Sequence, residues 1–187
     1  KKTDASRVYG LEFEHTLSPY NLNYMVNNYT LVEEHIAGIP GDVFIKEYLF
    51  SCNSSEKAQI AKEYVKFNER CMIRLLGDMR AYNYVVIPIH DFDHVIYRIR
   101  AIDFDQQCFE GKLSVYRPQF FKENYPLMNL VKEKLNHESI VQYKQVFLKV
   151  GVDKKFHGLI GSQQKLLNND FKSVLYDEES YGSESGG

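Results

Sequence analysis

Two β-prone segments decide the fold of this chain: Tyr84-Val85-Val86-Ile87-Pro88-Ile89 and Val95-Ile96-Tyr97-Arg98-Ile99-Arg100-Ala101-Ile102. β-Branched and aromatic residues dominate both segments, and the polar segment His90-Asp91-Phe92-Asp93-His94 separates them. This pattern predicts an antiparallel β-hairpin. Because Pro88 cannot donate a ladder hydrogen bond, we expect a small exposed ribbon rather than the centre of a large sheet.

Polar residues surround the open end of this hairpin. If the turn is centred near position 93, the numbers of facing residues sum to about 186, which places Asn83 opposite Asp103. Asp78 follows the end of a helix and the short loop after Gly77, at the same end. An aspartate that can orient or deprotonate a hydroxyl, with an asparagine and a second aspartate that can hold a metal ion on phosphates, is the polar set of a phosphoryl-transfer site.

The longest predicted helix leads into this loop. It opens at Ser54 or Ser55, extends to about position 76 and is ended by Gly77. Its apolar stripe consists of Ile60, Tyr64, Phe67, Cys71 and Leu75, and its charged, solvent-facing residues are Lys57, Lys62, Glu63, Lys66, Glu69 and Arg70.

The other elements are predicted from shorter patterns. Val8–Phe13 is β-prone, and Ser18-Pro19 is typical of a helix start. That helix would continue through Leu22, Met25, Val26, Tyr29 and Val32, which recur at three- and four-residue spacing. Further helices are expected from Asp42 to Leu49 and near 119–135, 138–150 and 158–176. The fold class is therefore α+β and mostly helical, one domain over residues 1–179 with a central hairpin packed on helices, followed by a flexible tail at 180–187.

Composition narrows the functional classes. With 44% apolar and 14% aromatic residues, the 187-residue chain can bury a core. The net charge of −2 and the pI near 6.3 predict neither nucleic-acid binding nor attraction to a membrane surface. Three cysteines without metal-ligand spacing, together with the lack of a bilayer-length apolar run, favour a cytoplasmic protein.

A family resemblance adds specific roles. The pattern Gly77-Asp78-x-x-x-x-Asn83, followed by Ile102-Asp103-Phe104-Asp105, resembles the catalytic loop and metal-binding strand end of the protein-kinase-like superfamily. It is closest to the aminoglycoside- and small-molecule-kinase branch and covers roughly residues 55–110. The resemblance implies the large, C-terminal lobe of such a kinase, with Asp78 as the catalytic aspartate and Asn83, Asp103 and Asp105 as metal ligands. It also implies Mg²⁺ and ATP as cofactors, and an alcohol of a small molecule or a protein as phosphoryl acceptor.

Two alternatives stay open. No glycine-rich phosphate loop or strand lysine precedes the long helix, and the roughly fifty residues there are too few for a small lobe. Either an N-terminal lobe or a partner chain completes the nucleotide site, or the chain is a non-catalytic, pseudokinase-like binding module. Another class, a metal-dependent hydrolase, is suggested by four potential ligands within His90–His94.

Arg98 and Arg100 share a strand face. Cys108 has no histidine placed by the sequence to activate it as a nucleophile.

Overall fold

The computed structural model describes only part of the chain. The described residues are 1–92, 94–105, 107 and 118–142, without the side chains of residues 16, 17 and 73. They form an α+β fold with two small antiparallel sheets, which confirms the predicted class. The predicted helix at 158–176 and the tail at 180–187 lie outside the described residues, so the predicted domain limit at 179 stays a prediction.

The first helix, α1, spans Ala5–Leu17, and the prediction of a β segment at Val8–Phe13 is wrong. The Asp4 side chain caps it by accepting a hydrogen bond from the Arg7 N–H. Gly10, Leu11 and Glu14 are buried along one face. Tertiary packing of this face outweighs the weak β preference of the individual residues.

A hairpin stands where a helix was predicted between Ser18 and Val32. Strands β1 (Tyr24–Asn27) and β2 (Thr30–Glu33) pair antiparallel, with Asn27 opposite Thr30. Asn28 has a φ of 51° in the two-residue turn, a conformation that asparagine tolerates better than most residues. The apolar spacing was compatible with a helix, but it was the Asn27-Asn28 pair that marked a turn.

The next elements lead to the long helix. Strand β3 (Ile39–Pro40) is followed by α2 (Gly41–Val43) and a π-helical turn (Phe44–Tyr48), which agrees with the helix expected from Asp42 to Leu49. Helix α3 spans Ser54–Ile73, close to the prediction. Its cap is Asn53, which exchanges hydrogen bonds with Glu56 in a capping box at 2.9 and 2.7 Å.

The end of α3 differs from the prediction, because Leu75 rather than Gly77 adopts the left-handed conformation, with a φ of 55°. The Leu76 N–H donates to the Cys71 carbonyl at 2.8 Å, and the Leu75 N–H donates to the Met72 carbonyl at 3.1 Å. This pair of bonds is a Schellman motif, which satisfies carbonyl groups at the helix end. The helix therefore stops before the loop that contains Asp78.

The predicted central hairpin is confirmed as β4 (Tyr84–Asp91) and β5 (His94–Ala101). Asp91 pairs with His94, so only positions 92 and 93 connect the strands and facing numbers sum to one less than expected. Asn83 therefore lies opposite Ile102 rather than Asp103, and the Ile102 N–H donates to the Asn83 carbonyl at 3.0 Å. The error arose because a two-residue turn was not anticipated.

The sheet containing the hairpin has the order β3-β4-β5, so β4 is central over a short stretch. The two residues of β3 pair only with Val86 and Val85, and Pro88 lies beyond them. Because β3 does not reach Pro88, the N–H group that proline lacks is not needed for pairing with β3, as expected for a proline at an edge.

Side chains of α3 cover the outer edge of β5. The Gln59 amide donates to the Tyr97 carbonyl at 2.8 Å and accepts from the Tyr97 N–H at 2.9 Å. Arg70 donates to the Ile99 carbonyl at 2.9 Å. These contacts satisfy backbone groups of an edge strand. Arg70 is therefore buried against β5, although the sequence predicted that it faces solvent. Glu63 and Glu69 of the same predicted charged face are buried as well.

The core lies between α3, the β4–β5 hairpin and α4 (Tyr125–Lys134). Phe67 of the predicted apolar stripe packs against the fully buried Tyr84, with ring centroids 5.1 Å apart. Short 3₁₀ turns at Pro118–Phe120 and Lys122–Asn124 precede α4, so the helix predicted near 119–135 begins later than expected. Residues 138–142, the described part of the predicted helix at 138–150, are helical. No helix in the described part of the chain has the length and apolar character needed to cross a bilayer.

Candidate functional site

The loop after α3 holds Asp78 against Asn83. Asp78 has a φ of 55°, an uncommon conformation for a residue other than glycine. The Asn83 Nδ2 atom donates to the Asp78 carbonyl oxygen at 2.7 Å and approaches its Oδ2 atom at 3.4 Å. Asn83 is buried and ends the 3₁₀ turn Ala81–Asn83, directly before β4, so a strand fixes one end of the loop. The two predicted residues five positions apart are thus brought together.

Arg80 is the cationic partner of Asp78. Its Nε atom lies 3.1 Å from Oδ1 of Asp78, and its Nη1 atom lies 3.8 Å from Oε1 of Glu123. The guanidinium also lies over the Phe121 ring, 5.2 Å from the centroid. These contacts hold the Asp78 carboxylate in one orientation but leave it partly open to solvent, with 29% of its side chain exposed.

Asp103 and Asp105 form a second acidic pair, just after β5. The two carboxyl groups interact, so that the pKa of each depends on the other. Burial, followed by the hydrogen bond and charge of Asp105, raises the pKa of Asp103 to about 6. The hydrogen bond from Asp103, together with Arg7, lowers the pKa of Asp105. The protonated form is therefore favoured at Asp103 rather than at Asp105. The Oδ1 atom of Asp103 is buried without a hydrogen-bond partner.

The N-terminal helix anchors this acidic segment. Arg7 Nη2 lies 2.6 Å from Oδ2 of Asp105. The Ser6 hydroxyl lies 2.9 Å from the Asp105 carbonyl oxygen and 3.0 Å from that of Gln107. A Cβ atom on Gly10 would lie 2.9 Å from Cβ of Phe104, so glycine permits the close approach of α1 to the strand end.

The two acidic parts of the site lie on neighbouring stretches of chain. At one end, the Asn83 carbonyl accepts from the N–H of Ile102, the residue before Asp103. At the other end, Leu76 and Gln107 form an isolated antiparallel bridge. Residues 76–83 and 102–107 are therefore tied together on both sides of the predicted site. Among the described residues, however, the Asp103 side chain makes no hydrogen bond to Asp78 or Asn83.

We expect Asp103 and Asp105 to share one proton, which the pair loses as the pH rises through about 6. Since folding raises the pKa of Asp103, the stability that protonated Asp103 contributes is fully present below its usual pKa and is lost as the pH rises through about 6. Asp105 acts in the opposite sense, because its lowered pKa contributes stability that is lost as the pH falls. Carbon-13 NMR of the aspartate carboxyl groups measures both titrations.

The matched variants for this titration are Asp105→Asn and Asp4→Asn. Burial and Asp105 both raise the pKa of Asp103 in the unaltered chain. Removing the Asp105 charge should therefore lower the pKa of Asp103, since burial then remains the main cause of its elevation. Asp4 contacts Arg7 but not Asp103, so its replacement should change the pKa of Asp103 far less. Two independent titrations near pH 4 in the unaltered chain would contradict the shared proton.

The described residues of the other candidates from the sequence form no metal site. His90, Asp91 and His94 are exposed at the tip of the hairpin, and position 93 lies outside the described residues. Within the described ranges, no group of three or more histidine, cysteine or acidic residues is placed to hold a metal ion. Cys108 also lies outside those ranges. The Cys71 thiol is buried, which raises its pKa to about 12 and makes it a poor nucleophile.

Several residues around the site were not predicted from the sequence. Ser6 and Arg7 were missed because their helix was mistaken for a strand. The buried Asn124 was missed as well, although its Nδ2 donates to the Met79 carbonyl at 3.0 Å and its Oδ1 accepts from the Tyr84 hydroxyl at 2.8 Å. The helix start at Asp4 was the one local signal that could have revealed Arg7.

Comparisons of the chain with protein-family models, with curated proteins and with solved structures find no match. A function must therefore be argued from the residues and their geometry.

Proposed function

We propose that this chain is a kinase-like, Mg²⁺- and ATP-dependent phosphotransferase that transfers a phosphoryl group to an alcohol. The observation that carries the proposal is the Asp103–Asp105 carboxyl pair on a segment tied to the loop of Asp78 and Asn83. Two acidic groups in contact need either a shared proton or a bound cation to offset their repulsion. A loop aspartate on a segment that is hydrogen-bonded to the segment of such a pair supplies the residue types of a phosphoryl-transfer site.

The residues present fit magnesium. Asn83, Asp103 and Asp105 offer only oxygen ligands through carboxylate and amide groups, the donors that hard cations prefer. The buried Oδ1 atom of Asp103 has no hydrogen-bond partner, as expected of a ligand atom. When bound, magnesium would neutralise charge on the nucleotide phosphates. Arg7 would have to share Asp105 with the cation or release it.

Asp78 has the role of binding and orienting the acceptor hydroxyl. Its carboxylate is half-buried and is held by Arg80 on one side and by the Asn83 amide on the other. Such fixed geometry favours positioning of a hydroxyl for in-line attack, which is the main contribution of a protein to phosphoryl transfer.

The competing proposal is a pseudokinase-like binding module. One observation favours it, because the ion pair with Arg7 neutralises Asp105. Such a module would bind a nucleotide weakly or not at all, and it would transfer no phosphoryl group. Separate measurements of binding and transfer distinguish the two.

Asp103→Asn should abolish magnesium-dependent nucleotide binding. We expect ATP with Mg²⁺ to raise the melting temperature of the unaltered chain, because a ligand of the native state stabilises it. The variant keeps the size of the side chain and removes its charge, so the shift should disappear while the unliganded melting temperature changes little. Asp91→Asn, an exposed aspartate at the hairpin tip, is the matched control and should retain the full shift.

Asp78→Asn then separates catalysis from binding. This variant should retain the ATP- and Mg²⁺-dependent shift, but its rate of phosphoryl transfer to water or to an alcohol should fall about 10²–10⁴-fold. Nucleotide binding without transfer in the unaltered chain would favour the binding module. A melting temperature that ATP and Mg²⁺ shift equally in the Asp103→Asn variant would contradict both the metal site and the phosphotransferase proposal.

A further inference from the structure

Three arginines surround one tyrosine ring beside strand β5. The guanidinium carbons of Arg70, Arg98 and Arg100 lie 5.5, 5.0 and 5.3 Å from the centroid of the Tyr20 ring. Arg98 and Arg100 alternate with the buried Ile99 on β5, so they share the outer face of the strand. Arg70 reaches the same ring from α3. Three positive charges thus lie within a single small region.

Within the described residues, carboxylates form ion pairs with only some of these arginines. Arg70 Nη2 lies 3.4 Å from Oε1 of the buried Glu63. Arg98 and Arg100 form no ion pair with any carboxylate in the part of the chain that the structure describes. Glu34 favours the charged form of Arg100 at longer range, but its Oε2 atom accepts two hydrogen bonds from Asn23. Burial and the charge of Arg70 lower the pKa of Arg100, as expected for a guanidinium crowded by a like charge.

The arginines differ in what they do for the fold. Arg70 supports the edge of β5, and Arg100 donates one hydrogen bond, from Nη2 to the Asn21 carbonyl at 3.2 Å. Arg98 is exposed, and its side chain donates no hydrogen bond to another described residue. Packing on Tyr20 does not use the in-plane N–H donors of a guanidinium, because a cation–π contact involves its face or charge. Donors on Arg98 and Arg100 therefore remain for an anion.

We propose that Tyr20, Arg70, Arg98 and Arg100 form a binding site for a dianionic phosphate monoester on the outer face of β5. Guanidinium groups match phosphate oxygens through paired, charge-assisted hydrogen bonds. Arg98 and Arg100 supply those donors, Arg70 adds charge from behind, and Tyr20 holds the three guanidinium groups in place. A bound dianion would relieve the repulsion among the arginines. This site does not depend on the proposed phosphotransferase activity.

The test is a titration of the full chain with inorganic phosphate, followed by NMR of the arginine side-chain N–H groups at constant ionic strength. A chelator is present, so that a cation at Asp103 cannot contribute to the binding. We expect saturable shifts of the Arg98 and Arg100 signals with phosphate and none with an equivalent increase in chloride. Arg98→Gln should weaken phosphate binding about tenfold, because it removes charged donors to the ligand.

Lys132→Gln is the matched control, because it removes an exposed positive charge from α4 and should leave phosphate binding unchanged. Arg98 is exposed, so its replacement should not unfold the chain and the result can be interpreted directly. A phosphoserine peptide that binds at least tenfold more tightly than glycerol phosphate would assign the monoester to a phosphorylated protein segment. Equal affinities would assign it to a small molecule. Phosphate binding that is absent, or that Arg98→Gln and Lys132→Gln weaken equally, would overturn the proposal.

Discussion

Gly41→Ala should lower the free energy of unfolding by about 3 kcal/mol, near the upper end of the usual cost of overpacking. A Cβ atom at this position would overlap the Tyr84 ring and the Ala81 carbonyl oxygen, and it would lie 2.6 Å from Cζ of Tyr84. Neither neighbour can move cheaply, because Tyr84 is fully buried and Ala81 contributes backbone. Chemical denaturation of the purified chain measures the loss.

The same substitution should disturb the candidate site. The Tyr84 hydroxyl donates to Asn124, whose amide donates to the carbonyl of Met79, the residue after Asp78. Moving the Tyr84 ring would therefore shift the loop, and the amide NMR signals of Asp78 and Asn83 should move with it. Asp42→Ala, at the exposed neighbouring position, is the control and should change stability by less than about 0.5 kcal/mol. Equal stability of the two variants would show that the close approach at Gly41 is not needed.

Arg74→Met should cost about 3–5 kcal/mol of stability, because it leaves a buried carboxylate without its partner. Arg74 forms a buried ion pair with Glu14 that joins α3 to α1, and 2% and 3% of the two side chains are exposed. Arg74 also donates from Nε to the Arg70 carbonyl at 3.2 Å. The backbone carbonyl of Arg74 accepts a hydrogen bond from Gln107. Displacement of this backbone after the side chain is replaced should also loosen the segment that contains Asp103 and Asp105.

A double-mutant cycle isolates the ion pair. Glu14→Leu combined with Arg74→Met replaces both charges by apolar side chains and should recover most of the stability that Arg74→Met loses. Lys1→Met, which removes the more exposed pair with Glu33, is the comparison and should cost less than about 1 kcal/mol. Additive losses in the cycle would mean that Glu14 and Arg74 are not energetically coupled.

Both pairs of residues show how closely the site depends on contacts that are remote in sequence. Gly41 lies beside Tyr84, and Glu14 pairs with Arg74, yet no local pattern around these residues predicts either contact. Sequence-based interpretation found α3 and the central hairpin because each carries a long, regular pattern with clear end signals. It assigned α1 to β structure and the β1–β2 hairpin to a helix, because in short segments the same apolar residues suit either conformation.

The candidate site was predicted in the same uneven way. Asp78, Asn83, Asp103 and Asp105 could be chosen from a motif. The structure joins Asn83 to Asp78 by a hydrogen bond and places the interacting Asp103 and Asp105 on an adjacent segment. Their exact facing order could not be predicted, since a one-residue change in turn length moves every pair across the hairpin. Arg7 could not be chosen either, since it is separated from Asp105 by most of the described chain.

By itself, the sequence determined the α+β class, the long capped helix, the central hairpin and the acidic residues at its open end. Those features follow from local preferences, side-chain periodicity and turn chemistry, all of which act over a few neighbouring residues. Only the tertiary structure decided that burial and Asp105 raise the pKa of Asp103, that Arg7 and Arg74 are ion-paired, and that three arginines meet at Tyr20. The physical reason is that burial and Coulomb interactions depend on distances in space, which the order of residues along a chain does not specify.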